Sequence, residues 1–124
     1  MFITDKKVCT LEFGVGVRYT ICLTDESDEN GYEVSVKSVI SDMKKYPWLT
    51  GITIMGKEPY NRQGPCLELL RNLPSHMDIT IITKASFDYI KTTNLYKEFP
   101  GAIILLESDV DFFRQNIINN KEEV

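Results

Sequence analysis

The stretch GITIMGKEP (51–59) decides the fold. Its first five residues form a β-branched, apolar run of the kind found in strands buried on both faces. The run ends in Gly56, Lys57, Glu58 and Pro59, a turn where a strand gives way to something that begins with proline. Upstream, EVSVKSVISDMKKY (33–46) places Val36, Val39, Ile40 and Met43 at helical spacing, and Pro47 enforces a stop. A helix followed by a short apolar strand is half of a crossover unit, and the same unit recurs downstream.

PCLELLRNL (65–73) sets Leu67, Leu70 and Leu73 on a helical face with Pro65 in the first turn, and MDITIIT (77–83) is the next strand. SFDYIKTTNLYKEF (86–99) reads as one helix through Phe87, Ile90, Leu95 and Phe99, ended by Pro100-Gly101, and AIILLE (102–107) as a third strand. DVDFFRQNIINN (109–120) reads as a closing helix, with a frayed tail at about 120–124. At the amino-terminal end, KVCTLEF (7–13) and RYTICLT (18–24) are strand-like runs on either side of the glycine-containing GVGV (14–17). Three strands each preceded by a helix predict a single α/β domain over 1–124, with a mostly parallel sheet covered by helices on both faces.

Composition fits such a domain: 124 residues, 43% hydrophobic and 26% charged. A net charge of -4 argues against a general nucleic-acid binder, which needs clustered Lys and Arg. The longest apolar runs, ITIM, ITII and AIILL, are far too short to span a bilayer, and MFITDKK lacks a signal-peptide core, so a cytoplasmic protein is expected. Cys9, Cys22 and Cys66 are widely spaced, with no C-x-x-C pair to begin a zinc site, and Cys9 and Cys22, in apolar strand-like runs, read as small hydrophobes. His76, the only histidine, lies in the turn PSHMD (74–78) and reads as a surface residue, since Cys66, though nearby in sequence, lies across a helix.

In an open parallel sheet, ligands bind beyond the carboxyl ends of the strands. That rule gathers the turn at 56–59, TKAS (83–86), LESD (106–109) and the acidic loop DESDENG (25–31). Lys57, Glu58, Arg62, Lys84 and Glu107 are the charges expected to face one another there. In the acidic loop Glu26, Asp28, Asn30 and Gly31 have the spacing with which a calcium loop opens, but the closing glutamate is replaced by Lys37. A solvated loop is expected and no metal site is assigned, with weak Mg²⁺ or Ca²⁺ binding left open; no cofactor is expected.

The order EFGVGVRYTICL (12–23), helix, GITIMGKEPYNRQG (51–64), LELLRNL (67–73) and DITIITK (78–84) resembles the radical S-adenosylmethionine activating enzymes, above all the small activases of anaerobic ribonucleotide reductase. The resemblance runs from about residue 12 to residue 106 and implies a truncated partial barrel. GVGVR (14–18) corresponds to the family's G-P-G-x-R stretch, and Gly56, Lys57, Glu58 and Pro59 to the G-G-[DE]-P turn that holds the methionine amino group of the cofactor. Where the family carries its three cluster cysteines, this chain has TDESDENGYEV (24–34), without a cysteine. Thiolates ligate the cluster and carboxylates are poor substitutes, so radical chemistry is not expected. Lys57 in a glycine position would crowd the ligand and add a charge beside a cationic amine.

What remains is a non-catalytic, radical-SAM-like domain acting by protein contact, as a regulator or inhibitor of the sort small phage or mobile-element genes encode. Its Lys, Ile and Asn content suits an AT-rich genome of that type. Tyr46 and Trp48 in KKYPWLTG (44–51) are the candidate contact residues. The partner is another protein or a second copy of the chain, with KVCTLEF (7–13) as the natural sheet edge. The alternative is a small α/β enzyme or ligand-binding domain with a site rebuilt from the acidic loop and the turn at 56–59.

Overall fold

Alternation along the strands of the computed structural model, which describes residues 1–10 and 16–109, sorts the sheet into two chemically different faces. Six strands align in the order β3-β1-β2-β4-β5-β6, comprising β1 (Phe2–Thr10), β2 (Arg18–Leu23), β3 (Tyr32–Glu33), β4 (Gly51–Gly56), β5 (Asp78–Thr83) and β6 (Ile103–Leu106). β2, β4, β5 and β6 are mutually parallel, and β1 is antiparallel to both β2 and β3. The sheet is therefore mixed and mostly parallel.

Between the parallel strands lie α1 (Val36–Met43), α2 (Gln63–Arg71), α3 (Phe87–Ile90) and α4 (Asn94–Glu98), with a 3-10 turn at Pro59–Asn61. Register puts Tyr19 opposite Ile52, and Ile52 opposite Ile79; Ile21, Ile54, Ile81 and Ile104 form the next row of the same face. Those side chains cluster with Val36, Val39 and Met43 of α1, Cys66, Leu69 and Leu70 of α2, Ile90 of α3 and Leu95 of α4. Burying each such aliphatic group contributes about 1.5–3 kcal/mol, so this layer is a large source of stability among the described residues.

The helices α1 to α4 all pack on this face. The reason lies in the strand order: β2, β4, β5 and β6 are laid down in one direction, and right-handed crossovers that never reverse direction put these helices on the same side. The closing helix expected over 109–120 lies outside the described residues from 110 onward, as do the tail and residues 11–13 of the first strand.

The other face carries Thr20, Thr53 and Thr80 in register, with Arg18, Gly51 and Asp78 as the adjacent row. Arg18 is fully buried there. Its Nε donates to Thr53 Oγ1 at 2.9 Å, and its Nη2 to Thr80 Oγ1 at 3.0 Å and to the Ile52 carbonyl at 2.8 Å. Burial lowers its pKa, and Asp78, 3.9 Å from Nη1, opposes that shift. Gly51 is glycine because a Cβ would stand 2.5 Å from Arg18 Nη1.

Three local readings change. β1 begins at Phe2 rather than at residue 7, because Phe2 and Ile3 pair with Glu33 and Tyr32 of β3. β1 is thus the second strand, and β3 covers the edge at its start. The helix expected over 86–99 is two, each with its own cap: Ser86 Oγ accepts from the Tyr89 amide and Thr93 Oγ1 from the Tyr96 amide, both at 3.3 Å. The buried stripe of α2 is Cys66, Leu69 and Leu70, with Leu67 and Leu73 at its margins.

Candidate functional site

The turn that follows β4 sits where the carboxyl ends of β2, β4 and β5 meet, so the sequence places it correctly. Its residues are turned inward. Gly56 has φ of +99°, and a Cβ there would lie 2.4 Å from the Leu23 carbonyl oxygen, so β2 passes too close for any side chain. The Lys57 amide donates to that carbonyl at 2.9 Å. Glu58 accepts through its carboxylate from the Thr83 hydroxyl at 2.7 Å, from the Lys84 amide at 2.9 Å and from the Tyr60 amide at 3.1 Å. It therefore ties β4 to the end of β5 and caps the 3-10 turn, whose first position is the buried Pro59.

Lys57 extends sideways to the acidic loop, where its Nζ meets Asp25 Oδ2 at 2.8 Å. Arg62 approaches the same oxygen through Nη2 at 3.3 Å, and donates from Nε to the Thr24 carbonyl and from Nη1 to the Glu58 carbonyl. One carboxylate thus serves two cations. Asp25 is held well below the usual carboxylate range, first by Lys57 and then by the Ser27 hydroxyl. Asp28 is lowered by the Thr24 hydroxyl and the Asn30 amide.

The five charges expected to face one another divide into separate groups: Lys57 and Arg62 meet on Asp25, Glu58 binds the β5 end, and Lys84 pairs with Glu107 at 3.7 Å. Asp25 and Thr83, which organise them, were not singled out in the sequence. The available signal was position, since each follows or ends a parallel strand. In the calcium-like stretch, Asp28 is committed to Thr24 and Asn30, while Glu26 is exposed. Among the described residues no three His, Cys, Asp or Glu side chains converge as metal ligands would.

Cys66 is buried, and its thiol pKa is pushed up to about 12 by that burial, against a small opposing effect of Arg62. A thiol so placed is neither a ready nucleophile nor a ready ligand. Cys22 is half-buried in β2, and the Cys9 side chain lies outside the described part. His76 is exposed in its turn. Grooves of about 350, 520 and 270 Å³ lie elsewhere on the described surface.

Tyr46 and Trp48 lie before β4, at the opposite end of the sheet, about 20 Å from the turn at 56–59 by the rise of a six-residue strand. Trp48 is 57% exposed and does not cap the core, a role filled by Leu49 at 2%. The Tyr46 and Trp48 rings meet edge to face at 5.8 Å. Tyr46 also packs on the core and lines the 270 Å³ groove with Met43, Leu49, Pro74 and Met77. Among the described residues no helix is long and apolar enough to cross a membrane. Compared with known proteins, the chain matches no family model, no curated protein and no solved structure.

Proposed function

We propose that this chain is a non-catalytic relative of the radical S-adenosylmethionine activases that works by contact with another protein, as a regulator or inhibitor. The observation that carries the reading is the inward commitment of the turn at 56–59. Gly56 is closed by the Leu23 backbone, Lys57 is bound to Asp25, and Glu58 is bound to Thr83, Lys84 and Tyr60. A turn whose polar groups are already satisfied gains little by binding a ligand. The absence of cysteine from 24–34 removes the thiolates that the family's cluster requires.

Contact is instead served by the amino end of the sheet. An exposed Trp packed on a half-buried Tyr beside an apolar groove has the composition of an interface anchor. A small-molecule site rebuilt from the acidic loop and the turn is the weaker reading, because Asp25 is already shared between Lys57 and Arg62.

Two measurements test the proposal. Anaerobic reconstitution with iron and sulfide, followed by titration with S-adenosylmethionine, is expected to give no cysteine-ligated chromophore and no saturable binding. Affinity capture from the host is expected to retain a partner with the wild-type chain, to lose it with Trp48→Ala, and to keep it with Phe87→Ala, a change at an exposed ring on α3. A cluster that binds cofactor would overturn the reading, as would a capture pattern indifferent to Trp48.

A further inference from the structure

The groove beside Tyr46 does not end there. Ile40, Lys44 and Asn72 line both the 270 Å³ pocket and the 520 Å³ furrow between α1 and α2, so the two adjoin and together make a channel-like surface along the helix pair. Lys37 and Lys44 stand on the α1 side. Being seven residues apart, they fall on one stripe of the helix, about 10 Å from each other along its axis.

Neither lysine has a carboxylate within ion-pairing distance among the described residues, whereas the neighbouring Lys45 is tied to Asp42. Facing them across the furrow is one carboxylate, Glu68. On a chain of net charge -4, this channel is a local excess of positive charge, graded from a cationic furrow to an apolar end at Tyr46 and Met77.

Resting on the contact reading above, we infer that the channel receives an acidic peptide segment of the partner protein. The segment's carboxylates meet Lys37 and Lys44, and an apolar or aromatic side chain at one end fills the pocket between Tyr46 and Met77. Complementary charge fixes direction and register along α1, and the anchor supplies the buried area. The two cations lie along one stripe of α1 beside the furrow rather than on a broad basic face, which suits a peptide better than a nucleic-acid backbone.

The test uses the full chain and three probes followed by fluorescence anisotropy: a short labelled glutamate-rich peptide ending in Leu-Phe, its twin with lysine in place of every glutamate, and a labelled oligothymidylate. The acidic peptide is expected to bind saturably. Its twin should bind at least about tenfold more weakly, and the double variant Lys37→Glu/Lys44→Glu should lose about tenfold for the acidic peptide. Both lysines are exposed, so the variant should keep the wild-type circular dichroism and urea midpoint.

No saturable binding of the acidic peptide, equal binding of the twin, or unchanged affinity in the double variant would overturn the inference. Preferential binding of oligothymidylate would overturn it in favour of a nucleic acid. If host capture depends on Trp48 but survives the double lysine reversal, the channel assignment falls while the contact reading stands.

Discussion

Gly56 and Thr80 show what single residues contribute to this fold. Replacing Gly56 with Ala forces a Cβ into the Leu23 backbone at a positive φ, and the strain should cost about 1–3 kcal/mol. Urea unfolding should show a lower midpoint with an unchanged slope, and an unaltered midpoint would mean that the β2–β4 approach is looser than described. Thr80→Val keeps the shape but removes an acceptor from the buried Arg18 guanidinium. Hydrogen bonds to charged groups contribute about 1.5–3 kcal/mol, and the same titration should register a loss of that size. The sequence shows Gly56 as a turn glycine, but the reason for it lies in a strand more than thirty residues away. Arg18 reads as the polar end of a strand, and nothing local marks it as a buried cation lying over Gly51.

At the scale of elements, periodicity is informative where an element is long and one-sided. The strands β4, β5 and β6 stand within a residue of where the pattern puts them, and α1 lies inside the stretch 33–46, three residues shorter at each end. Capping accounts for the break in 86–99. Thr92 and Thr93 interrupt the helical run, and the buried Thr93 donates to the Ile90 carbonyl at 2.6 Å while accepting from the Tyr96 amide. A residue that closes one helix and opens the next leaves the apolar spacing almost undisturbed, so periodicity alone reads one helix. Thr93→Ala should cost about 1–2 kcal/mol and reduce hydrogen-exchange protection in α4 before α2. The two-residue β3 was also illegible, because its pairing partner is the start of β1 rather than any pattern of its own. The location of the turn at 56–59 was readable from its place after a parallel strand. Its inward commitment was not, since Asp25 and Thr83 come to it only through the sheet.

For the whole molecule, charge shapes the response to acid. Asp42 is held below the ordinary carboxylate value of about 3.9 by the Tyr19 hydroxyl at 2.7 Å and by Lys6 at 3.1 Å, and Asp25 and Asp28 are depressed as well. A carboxylate depressed in the folded state adds stability above its unfolded pKa and loses it as pH falls through the folded value. The urea midpoint should therefore hold near neutrality and decline below about pH 4. Asp42→Asn should flatten that decline more than Asp25→Asn, since the Asp42 side chain is 17% exposed and the Asp25 side chain 40%. A parallel decline in both variants would place the acid sensitivity elsewhere. The strand order bears on synthesis as well as on architecture. In the parallel half each strand docks on the flank of its predecessor, β2 to β4 to β5 to β6. A chain emerging from the ribosome can add each βα unit to a neighbour already in place, with no strand threaded between two that have paired. Among the described strands β6 is made last, so a nascent chain held just before it holds all that β1 to β5 need to align, with the β5 flank still open for β6.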